Sequence, residues 1–127
     1  TLWAEIVWQA FDSPPRAPAS FVNLARGLRE RDAFTPVIAR REDRPVGAYL
    51  LSASGSGTGV YYFATLPEAR RSGAGKAMMN DILRRTFVRA GGPITLQATP
   101  SGLPFYASQG FETLFKIPVH SRSPDIF

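Results

Sequence analysis

The apolar positions near the N-terminus recur at helical spacing and predict two helices. The first helix carries an apolar stripe formed by Leu2, Trp3, Ile6, Val7 and Ala10. The run Asp12–Pro15 contains two prolines and is expected to end that helix. Ser20 is placed to cap the second helix. The apolar stripe of this second helix is Phe21, Leu24, Ala25 and Leu28.

Beyond these helices, runs rich in β-branched and aromatic residues predict strands, and one long apolar stripe predicts a further helix. The expected strands cover residues 34–39, 46–52, 60–65, 94–98 and 111–120. The long helix runs from Gly73 to Gly91, and a short helix covers residues 104–108. The run Ser54–Gly59 is expected to be a flexible connection, and Pro118 places the last strand near a sheet edge. The predicted order is α-α-β-β-β-α-β-α-β, which is typical of an α/β domain.

The amino-acid composition and the net charge exclude several kinds of site and partner. The chain has 127 residues, 44% of them hydrophobic, which predicts a single domain over residues 1–127. It contains no cysteine, which excludes disulfides, thiolate metal sites and a cysteine nucleophile. No apolar run is long enough to span a membrane, so we expect a cytoplasmic protein without a membrane partner. The net charge is +5, but the arginines are scattered, so nucleic acid is not an expected partner.

The turn from Arg70 to Lys76 lies between a predicted strand and the long helix, and it carries the clearest chemical signal. Arg70, Arg71 and Lys76 supply positive charge, while Gly73 and Gly75 have no side chains to block a ligand. The first N–H groups of a helix have no partner within it, and the helix dipole adds about +0.5 charge there. A phosphate or pyrophosphate is therefore the expected ligand. The alternative is a solvated basic loop without a ligand.

Two nucleotide-binding motifs do not fit this turn. The phosphate loop of ATPases requires a glycine where Arg70 stands and a serine or threonine where Ala77 stands. The dinucleotide-binding fingerprint requires a glycine at the position of Met78, and no acidic residue follows at the ribose-binding distance. The turn therefore belongs to another class of anion site.

The run Arg70–Gly75 reads R-x-x-G-x-G and resembles the acyl-CoA pyrophosphate loop of the GNAT acetyltransferase superfamily. Further along, Leu96–Glu112 resembles the superfamily's succession of a strand, a short helix with a tyrosine and a Gly-Phe turn. The resemblance covers roughly residues 34–120 and implies the acyl-CoA N-acyltransferase fold, a central mixed sheet flanked by helices. The superfamily's first strand has no counterpart here. The sheet edge is then expected to be open, or to pair with a second copy in a homodimer or with a missing N-terminal segment, and the chain resembles the C-terminal part of a longer protein.

The resemblance also implies a set of site residues, with acetyl-CoA as cosubstrate, an amine as acceptor and no metal. The residues implied for the pyrophosphate are Arg70, Arg71, Ser72, Gly73, Ala74, Gly75 and Lys76. The backbone groups implied for the pantetheine arm are those of Ala64, Thr65 and Leu66. Tyr106 is implied as the acid that protonates the departing thiolate. The alternative for this tyrosine is a core position with its ring buried.

A general base is not evident in the sequence. Glu68 is expected at a helix start or beside an arginine, and Asp81 lies on the long helix, away from the expected cleft. His120 is the only histidine and is expected at the surface. The superfamily often has an asparagine before its short helix, and hydroxyls of Thr99 or Ser101 are the candidates to replace it here.

The sequence thus predicts an acetyl-CoA-dependent N-acetyltransferase that acts by direct attack of a primary amine, since no cysteine is present to carry an acyl group. A non-catalytic acyl-CoA-binding or regulatory domain is the alternative, and release of free CoA with some amine separates the two. A small nucleic-acid-binding module would instead show salt-dependent binding to DNA or RNA. Five aromatic residues either line an acceptor cleft or pack in the core, namely Trp8, Tyr61, Tyr62, Phe63 and Phe105.

Overall fold

The structure is a computed structural model that describes residues 2–11, 17–55, 57–89 and 91–120. Its contacts divide the chain into two compact units, Thr1–Gln97 and Ala98–Phe127. The run Asp12–Pro15, which was expected to end the first helix, lies outside the described residues.

The first unit contains three α-helices and a four-stranded sheet among the described residues. In chain order its elements are α1 (Leu2–Ala10), α2 (Ala19–Arg29), β1 (Phe34–Arg41), β2 (Arg44–Ser54), β3 (Gly57–Thr65), a 3-10 turn (Pro67–Ala69), α3 (Ala74–Arg89) and β4 (Ile94–Leu96). The second unit contains α4 (Leu103–Ser108). The predicted helices and the first four predicted strands are confirmed, with shifts of a few residues at their ends.

The sheet is mixed, with the strand order β1-β2-β3-β4. β1 and β3 both run antiparallel to β2, while β4 runs parallel to β3. A parallel pair needs a crossover connection, and α3 supplies it. This is the mixed α/β arrangement that the sequence predicts.

Alternation along β2 divides the core between the two faces of the sheet. Ala48 and Leu50 join a core cluster with residues of α1 and α2, in which Val7 is 1% exposed. On the opposite face Tyr49 is 1% exposed and donates a hydrogen bond to Asp81 of α3. Helices therefore cover both faces of β2.

The cap of α2 differs from the prediction. Ser20 lies inside the helix, which begins at Ala19 after Pro18. The Pro18 carbonyl accepts hydrogen bonds from the N–H groups of Phe21 at 3.0 Å and Val22 at 3.1 Å, and no side chain caps this end. Proline fixes φ near −65°, which suits the residue before a first turn, so a serine cap is not needed.

The predicted strand over residues 111–120 is wrong. This segment has no regular structure, and its residues from Glu112 to His120 are all exposed. A strand must bury one face and pair at least one edge to be stable. Pro118 has no N–H group to donate to a ladder. The β-prone residues of this segment have neither the burial nor the strand pairing that a stable strand requires.

The glycine- and serine-rich connection is also shorter than predicted. β2 and β3 remain paired as far as Ser54 and Gly57, so the two strands form a tight hairpin. Ser56 lies outside the described residues. The outer edge of β1 has no neighbouring strand among the described residues, which agrees with the expectation of an open sheet edge.

Candidate functional site

The end of β3 leads directly into the predicted anion loop. After Thr65, the N–H of Leu66 donates to the Val46 carbonyl at 2.9 Å, and the Leu66 carbonyl accepts from the Ala69 N–H at 2.9 Å. The 3-10 turn Pro67–Ala69 follows and leads into the turn before α3. The loop is thus anchored to the sheet on one side and to the helix on the other.

The turn before α3 has two residues with positive φ, Arg71 at 61° and Gly73 at 85°. Ala77 donates its N–H to the Gly73 carbonyl at 3.0 Å, which closes the first turn of the helix. The N–H groups of Ala74 and Gly75 precede this bond and therefore have no acceptor within the helix. A Cβ built on Gly73 would have no atom within 4 Å. This geometry suits an anion that approaches the helix N-terminus from solvent.

The cations of the loop differ in their contacts. Arg70 donates from Nη2 to the Ala10 carbonyl at 2.6 Å and from Nε to the Thr65 carbonyl at 3.4 Å, so it ties the loop to the end of α1. Arg71 and Lys76 are exposed and make no hydrogen bond or ion pair with the described residues. These two side chains are therefore the ones available for a ligand.

Ser72 and Arg41 complete the loop. The Ser72 hydroxyl donates to the Ala69 carbonyl, and the Ser72 carbonyl accepts from Arg41 Nη2 at 3.1 Å. Arg41 lies at the end of β1, 31 residues before Ser72 in the sequence, and the sequence analysis did not identify it. No sequence motif links Arg41 to the loop, so the sequence carries no signal for this contact.

β3 and β4 are paired only near their beginnings. The parallel ladder joins Thr58 to Ile94, Gly59 to Thr95 and Val60 to Leu96, and β4 ends there. The rest of β3, as far as Thr65, has no ladder on this side. We call the stretch of β3 from Tyr61 to Thr65, on the side turned away from β2, the divergent edge of β3.

The three positions expected to bind the pantetheine arm, Ala64, Thr65 and Leu66, differ in the direction of their backbone N–H groups. The Leu66 N–H points toward β2, because it donates to Val46. Successive residues of a strand direct their N–H groups to opposite sides, so the Thr65 N–H points away from β2. The Leu66 groups are engaged within the protein, and Ala64 is paired with Ala48. Thr65 is therefore the position best oriented to bond a peptide-like ligand arm.

A β-bulge lies just before this edge. Leu50 is opposite Tyr61 and Ala48 is opposite Ala64, so β3 has one more residue than β2 in this interval. Tyr62 has a φ of 53° within it. Bulges commonly redirect side chains next to functional sites, and this one changes which face the following residues occupy.

In the second unit, Tyr106 lies on α4 and its ring contacts two other aromatic rings. The centroid of Tyr106 is 5.5 Å from that of Phe105 and 6.0 Å from that of Phe111. Burial raises the pKa of the Tyr106 phenol above its usual range. The hydroxyl is therefore protonated at neutral pH and is chemically able to donate a proton or a hydrogen bond.

The start of α4 is held by hydroxyl groups. The Gly102 N–H donates to the Thr99 hydroxyl at 3.2 Å, and the Thr99 and Ser101 hydroxyls are 3.2 Å apart. A Cβ on Gly102 would lie 3.3 Å from the Tyr106 ring, so the glycine gives this ring room. Thr99 therefore holds the turn that leads into α4, while Gly102, the N-cap residue of this helix, has no side-chain cap.

Among known proteins, the sequence family described as the acetyltransferase (GNAT) domain matches residues 16–120 of this chain. The chain belongs to the GNAT acetyltransferase family. This membership supports acetyl transfer as the general activity. No curated protein sequence matches the chain.

Solved structures share the GNAT fold of this chain. A transcriptional regulator from Bacillus halodurans matches with a TM-score of 0.79 at 18% identity, covering 94% of this chain and 93% of that one. Glucosamine-6-phosphate N-acetyltransferase from Arabidopsis thaliana matches with a TM-score of 0.73 at 10% identity, covering 94% and 88%. A predicted acetyltransferase with acetyl-CoA, from Clostridium acetobutylicum, matches with a TM-score of 0.71 at 15% identity, covering 94% and 88%. At these identities the comparison shows the fold.

The carboxylates of the GNAT domain are the side chains that could act as a general base. Among the described residues only Glu5 and Asp81 are partly buried, and the other carboxylates are exposed. Glu5 accepts a hydrogen bond from the Ala17 N–H at 3.2 Å. Glu68 is exposed and forms no ion pair within the described part of the chain, so the arginine partner considered for it is not seen.

Asp81 is held by three donors. It accepts hydrogen bonds from the Tyr49 hydroxyl, from Arg84 and from Arg85 Nε, the last at 2.7 Å. Desolvation acts to raise the pKa of Asp81, but these hydrogen bonds outweigh it and the pKa lies below its usual range. Burial and the bond to Asp81 raise the pKa of Tyr49. A carboxylate with a lowered pKa is a weak base, so Asp81 serves the packing of α3 on the sheet.

The five aromatic residues considered for an acceptor cleft differ in their surroundings. Tyr62 contacts Trp3 and Phe21 with ring centroids 5.6 and 5.9 Å apart, and Trp8 contacts Phe21 at 5.4 Å. Phe63 stacks on Tyr49 at 6.3 Å on the opposite face of the sheet. Tyr61 is 47% exposed and Phe105 packs on Tyr106. Most of these rings therefore have core partners.

Neither a metal cluster nor a membrane span is found in the part of the GNAT domain that the structure describes. No group of three or more histidine, cysteine, aspartate or glutamate residues is placed to hold an ion in residues 2–11, 17–55, 57–89 and 91–120. No helix there is long and apolar enough to cross a membrane. His120 is exposed, as expected.

Proposed function

We propose that this GNAT domain is an acetyl-CoA-dependent N-acetyltransferase, which transfers an acetyl group to a primary amine by direct attack. The observation that carries the proposal is the open turn before α3, where Gly73 leaves space and the N–H groups of Ala74 and Gly75 have no intrahelical acceptor. Family membership and three GNAT-fold neighbours support it. Acetyl-CoA would supply the activated acetyl group. The acceptor amine is not specified by the geometry.

The loop residues fit the pyrophosphate of acetyl-CoA. Arg71 and Lys76 would neutralise the charge while the N–H groups of Ala74 and Gly75 donate hydrogen bonds to phosphate oxygens. Gly73 and Ser72 would contact the ligand through their backbones. Arg70, which was also expected to contact it, already bonds Ala10 and Thr65, and we propose that it acts mainly by positioning the loop.

The divergent edge of β3 would bind the pantetheine arm and the acetyl carbonyl. The Thr65 N–H points toward this edge, and a peptide-like arm satisfies it. Ala64 and Leu66, the other two predicted positions, would contribute through their shape, since Ala64 pairs with Ala48 of β2 and the Leu66 backbone groups bond Val46 and Ala69. The Thr65 N–H would thus orient the thioester for attack.

Tyr106 would act as the general acid. In direct attack, the amine nitrogen forms a bond to the acetyl carbon, the bond from that carbon to sulfur breaks, and the thiolate sulfur accepts a proton. The raised pKa of the Tyr106 phenol keeps that proton available at neutral pH. The role itself rests on the resemblance of the segment around Tyr106 to the superfamily.

The attacking amine must lose a proton, and Asp81, the carboxylate of α3, has a lowered pKa and already accepts hydrogen bonds from Tyr49, Arg84 and Arg85. We propose that water carries this proton to solvent. The same observation favours the second candidate, a non-catalytic acyl-CoA-binding or regulatory domain. We further propose that residues 1–127 form one GNAT domain, since the family match extends across both compact units, and that it acts in the cytoplasm.

Release of free CoA from acetyl-CoA, measured with a broad panel of primary amines, tests the proposal. An enzyme produces amine-dependent CoA release together with the acetylated amine, detected by mass spectrometry. Binding of acetyl-CoA without any amine-dependent release would support the non-catalytic alternative. Absence of both binding and release would contradict both candidates.

A further inference from the structure

The tip of the β1–β2 hairpin holds the loop before α3 at both of its ends. The Val46 carbonyl of β2 accepts a hydrogen bond from the Leu66 N–H at 2.9 Å, where the loop leaves β3. Arg41 of β1 donates from Nη2 to the Ser72 carbonyl at 3.1 Å, where the loop approaches α3. The segment from Leu66 to Ser72 is therefore tied to one hairpin at its start and at its end.

A β-bulge lies directly before the tip of this hairpin. The register of the two strands shifts between Ala39 and Arg40, and Val46 is the extra residue of β2 there. Bulges redirect nearby side chains and are frequent next to active sites. Arg41 follows within one residue, so the direction of its side chain depends on this irregularity.

The turn of the hairpin is tight and strained. Arg41 is paired with Arg44, so only Glu42 and Asp43 lie between the strands. Their φ angles are 51° and 67°, and a two-residue hairpin turn with positive φ at both positions prefers asparagine, aspartate or glycine. Glutamate is therefore an unfavourable residue here. Backbone strain of this kind is found most often next to functional sites.

The bond from Arg41 determines how the last peptide unit of the loop is oriented. The Ser72 carbonyl and the Gly73 N–H belong to one planar trans peptide, so they point in opposite directions. The Gly73 N–H therefore points away from Arg41, and it makes no hydrogen bond with the described residues. It is a further donor beside the N–H groups of Ala74 and Gly75.

This peptide has a second accessible orientation. Rotating it by half a turn would change the φ of Gly73 from 85° to a negative value, and glycine adopts either sign about equally well. The Ser72 carbonyl would then take the place of the Gly73 N–H. The bond from Arg41 selects the orientation in which the donor points away from the hairpin.

We propose that Arg41 is a positioning residue for CoA, which holds the Ser72 carbonyl so that the Gly73 N–H is directed at the pyrophosphate. The proposal rests on the proposed CoA site at this loop. Arg41 acts through the loop and does not touch the ligand. Without it, the Ser72–Gly73 peptide populates both orientations, and the reversed one presents a carbonyl oxygen that repels an anion.

Titration calorimetry with CoA on Arg41→Ala tests this role, with Arg44→Ala as the matched control. Arg44 is directly opposite Arg41 and carries the same charge, and it is exposed without a hydrogen bond to the described residues. Arg41→Ala should raise the dissociation constant of CoA roughly three- to tenfold, the scale of one hydrogen bond. Arg44→Ala should bind CoA as the wild type does at the same ionic strength. Both variants should melt close to the wild type, because both side chains are exposed.

NMR of the ligand-free protein supplies a readout that does not depend on CoA. The ¹⁵N–¹H residual dipolar coupling of Gly73 reports the direction of its N–H bond. This coupling should change in Arg41→Ala and stay unchanged in Arg44→Ala, while that of Met79, in the middle of α3, stays unchanged in both. Weaker binding in Arg41→Ala with an unchanged Gly73 coupling would mean direct contact with a phosphate and would overturn the positioning role.

The two experiments separate this proposal from the function on which it rests. If the wild type binds CoA and the two alanine variants bind it equally well, the role of Arg41 is wrong and the CoA site stands. If the wild type does not bind CoA, the CoA site is wrong and the role of Arg41 is wrong with it. Weaker binding confined to Arg41→Ala, together with a changed Gly73 coupling, is the result expected.

Discussion

The backbone of the turn before α3 requires a glycine at position 73. Its φ of 85° is unfavourable for any residue with a side chain, although the protein leaves open space where a Cβ would lie. Packing therefore does not explain the glycine. The backbone conformation explains it, and the proposed approach of a ligand agrees with a residue that has no side chain.

Tyr106→Phe should lower turnover with little effect on the affinity for acetyl-CoA, because we propose that the hydroxyl acts on the departing thiolate. The expected loss is roughly 100- to 10,000-fold, the usual range for general acid assistance. Steady-state kinetics with an active amine and calorimetry with acetyl-CoA measure the two effects.

Tyr49→Phe is the matched control for that experiment. Tyr49 also has a buried phenol, but its hydroxyl bonds Asp81 and not a ligand. This variant should lose stability and keep its turnover at temperatures where it is folded. Wild-type turnover in Tyr106→Phe would remove the catalytic role and leave Tyr106 as a core residue.

Asp81→Asn should destabilise the protein at neutral pH by about 1–3 kcal/mol, the cost of disturbing charged hydrogen bonds at a partly buried group. The pKa of Asp81 is lowered by folding, so its contribution is present above the unfolded value near 3.9 and is lost as pH falls through the folded value. Urea unfolding of wild type and variant between pH 7 and pH 2.5 should therefore show a difference that shrinks below about pH 4. A difference independent of pH would contradict this account.

Among the elements, those with a strong local period were predictable from sequence. The apolar residues of α3 recur at helical spacing, and two of them, Met79 and Ile82, are fully buried. Leu83 and Phe87 belong to the same predicted stripe but are 45% and 82% exposed, because spacing predicts the helix and not how much of its apolar face the sheet covers. The segment over residues 111–120 has β-prone residues, yet Phe115 is 72% exposed and no strand forms. Strand pairing depends on a partner elsewhere in the chain, which spacing does not reveal.

Features that depend on contacts between elements were likewise not predictable. The run from Tyr61 to Phe63 has the pattern of a regular strand, but the bulge there exists only relative to β2. Arg41 reaches Ser72 across 31 residues of sequence, and no motif joins them. The loop itself was predictable because its glycines, its cations and the helix start all lie within one short segment.

The open outer edge of β1 leads to a prediction about hydrogen exchange. β1 pairs with β2 on one side, so alternate amides of Phe34–Arg41 should point to solvent in a monomer and exchange rapidly. Native-state exchange read by NMR at several protein concentrations measures this. Pairing with a second copy would slow those amides as concentration rises. Uniform protection of β1 in the monomer would contradict an open edge.

For the whole molecule, family membership and fold agree with a CoA-dependent acetyltransferase, and the central claim is that CoA binds at the turn before α3. Arg71→Ala should weaken CoA binding roughly ten- to a hundredfold, the scale of one charge-assisted contact. The side chain is exposed and has no protein partner among the described residues, so the fold should not change.

Titration calorimetry with CoA on Gly73→Val tests that claim most directly, with Gly91→Val as its matched control. Both glycines have positive φ, 85° and 68°, and both have open space where a Cβ would lie, so both variants should be strained alike. Gly91→Val should bind CoA as the wild type does, whereas Gly73→Val should lose binding because its side chain occupies the path of the pyrophosphate. Unchanged affinity in Gly73→Val, with circular dichroism showing a folded protein, would contradict the cofactor site at this loop and the enzyme function that depends on it.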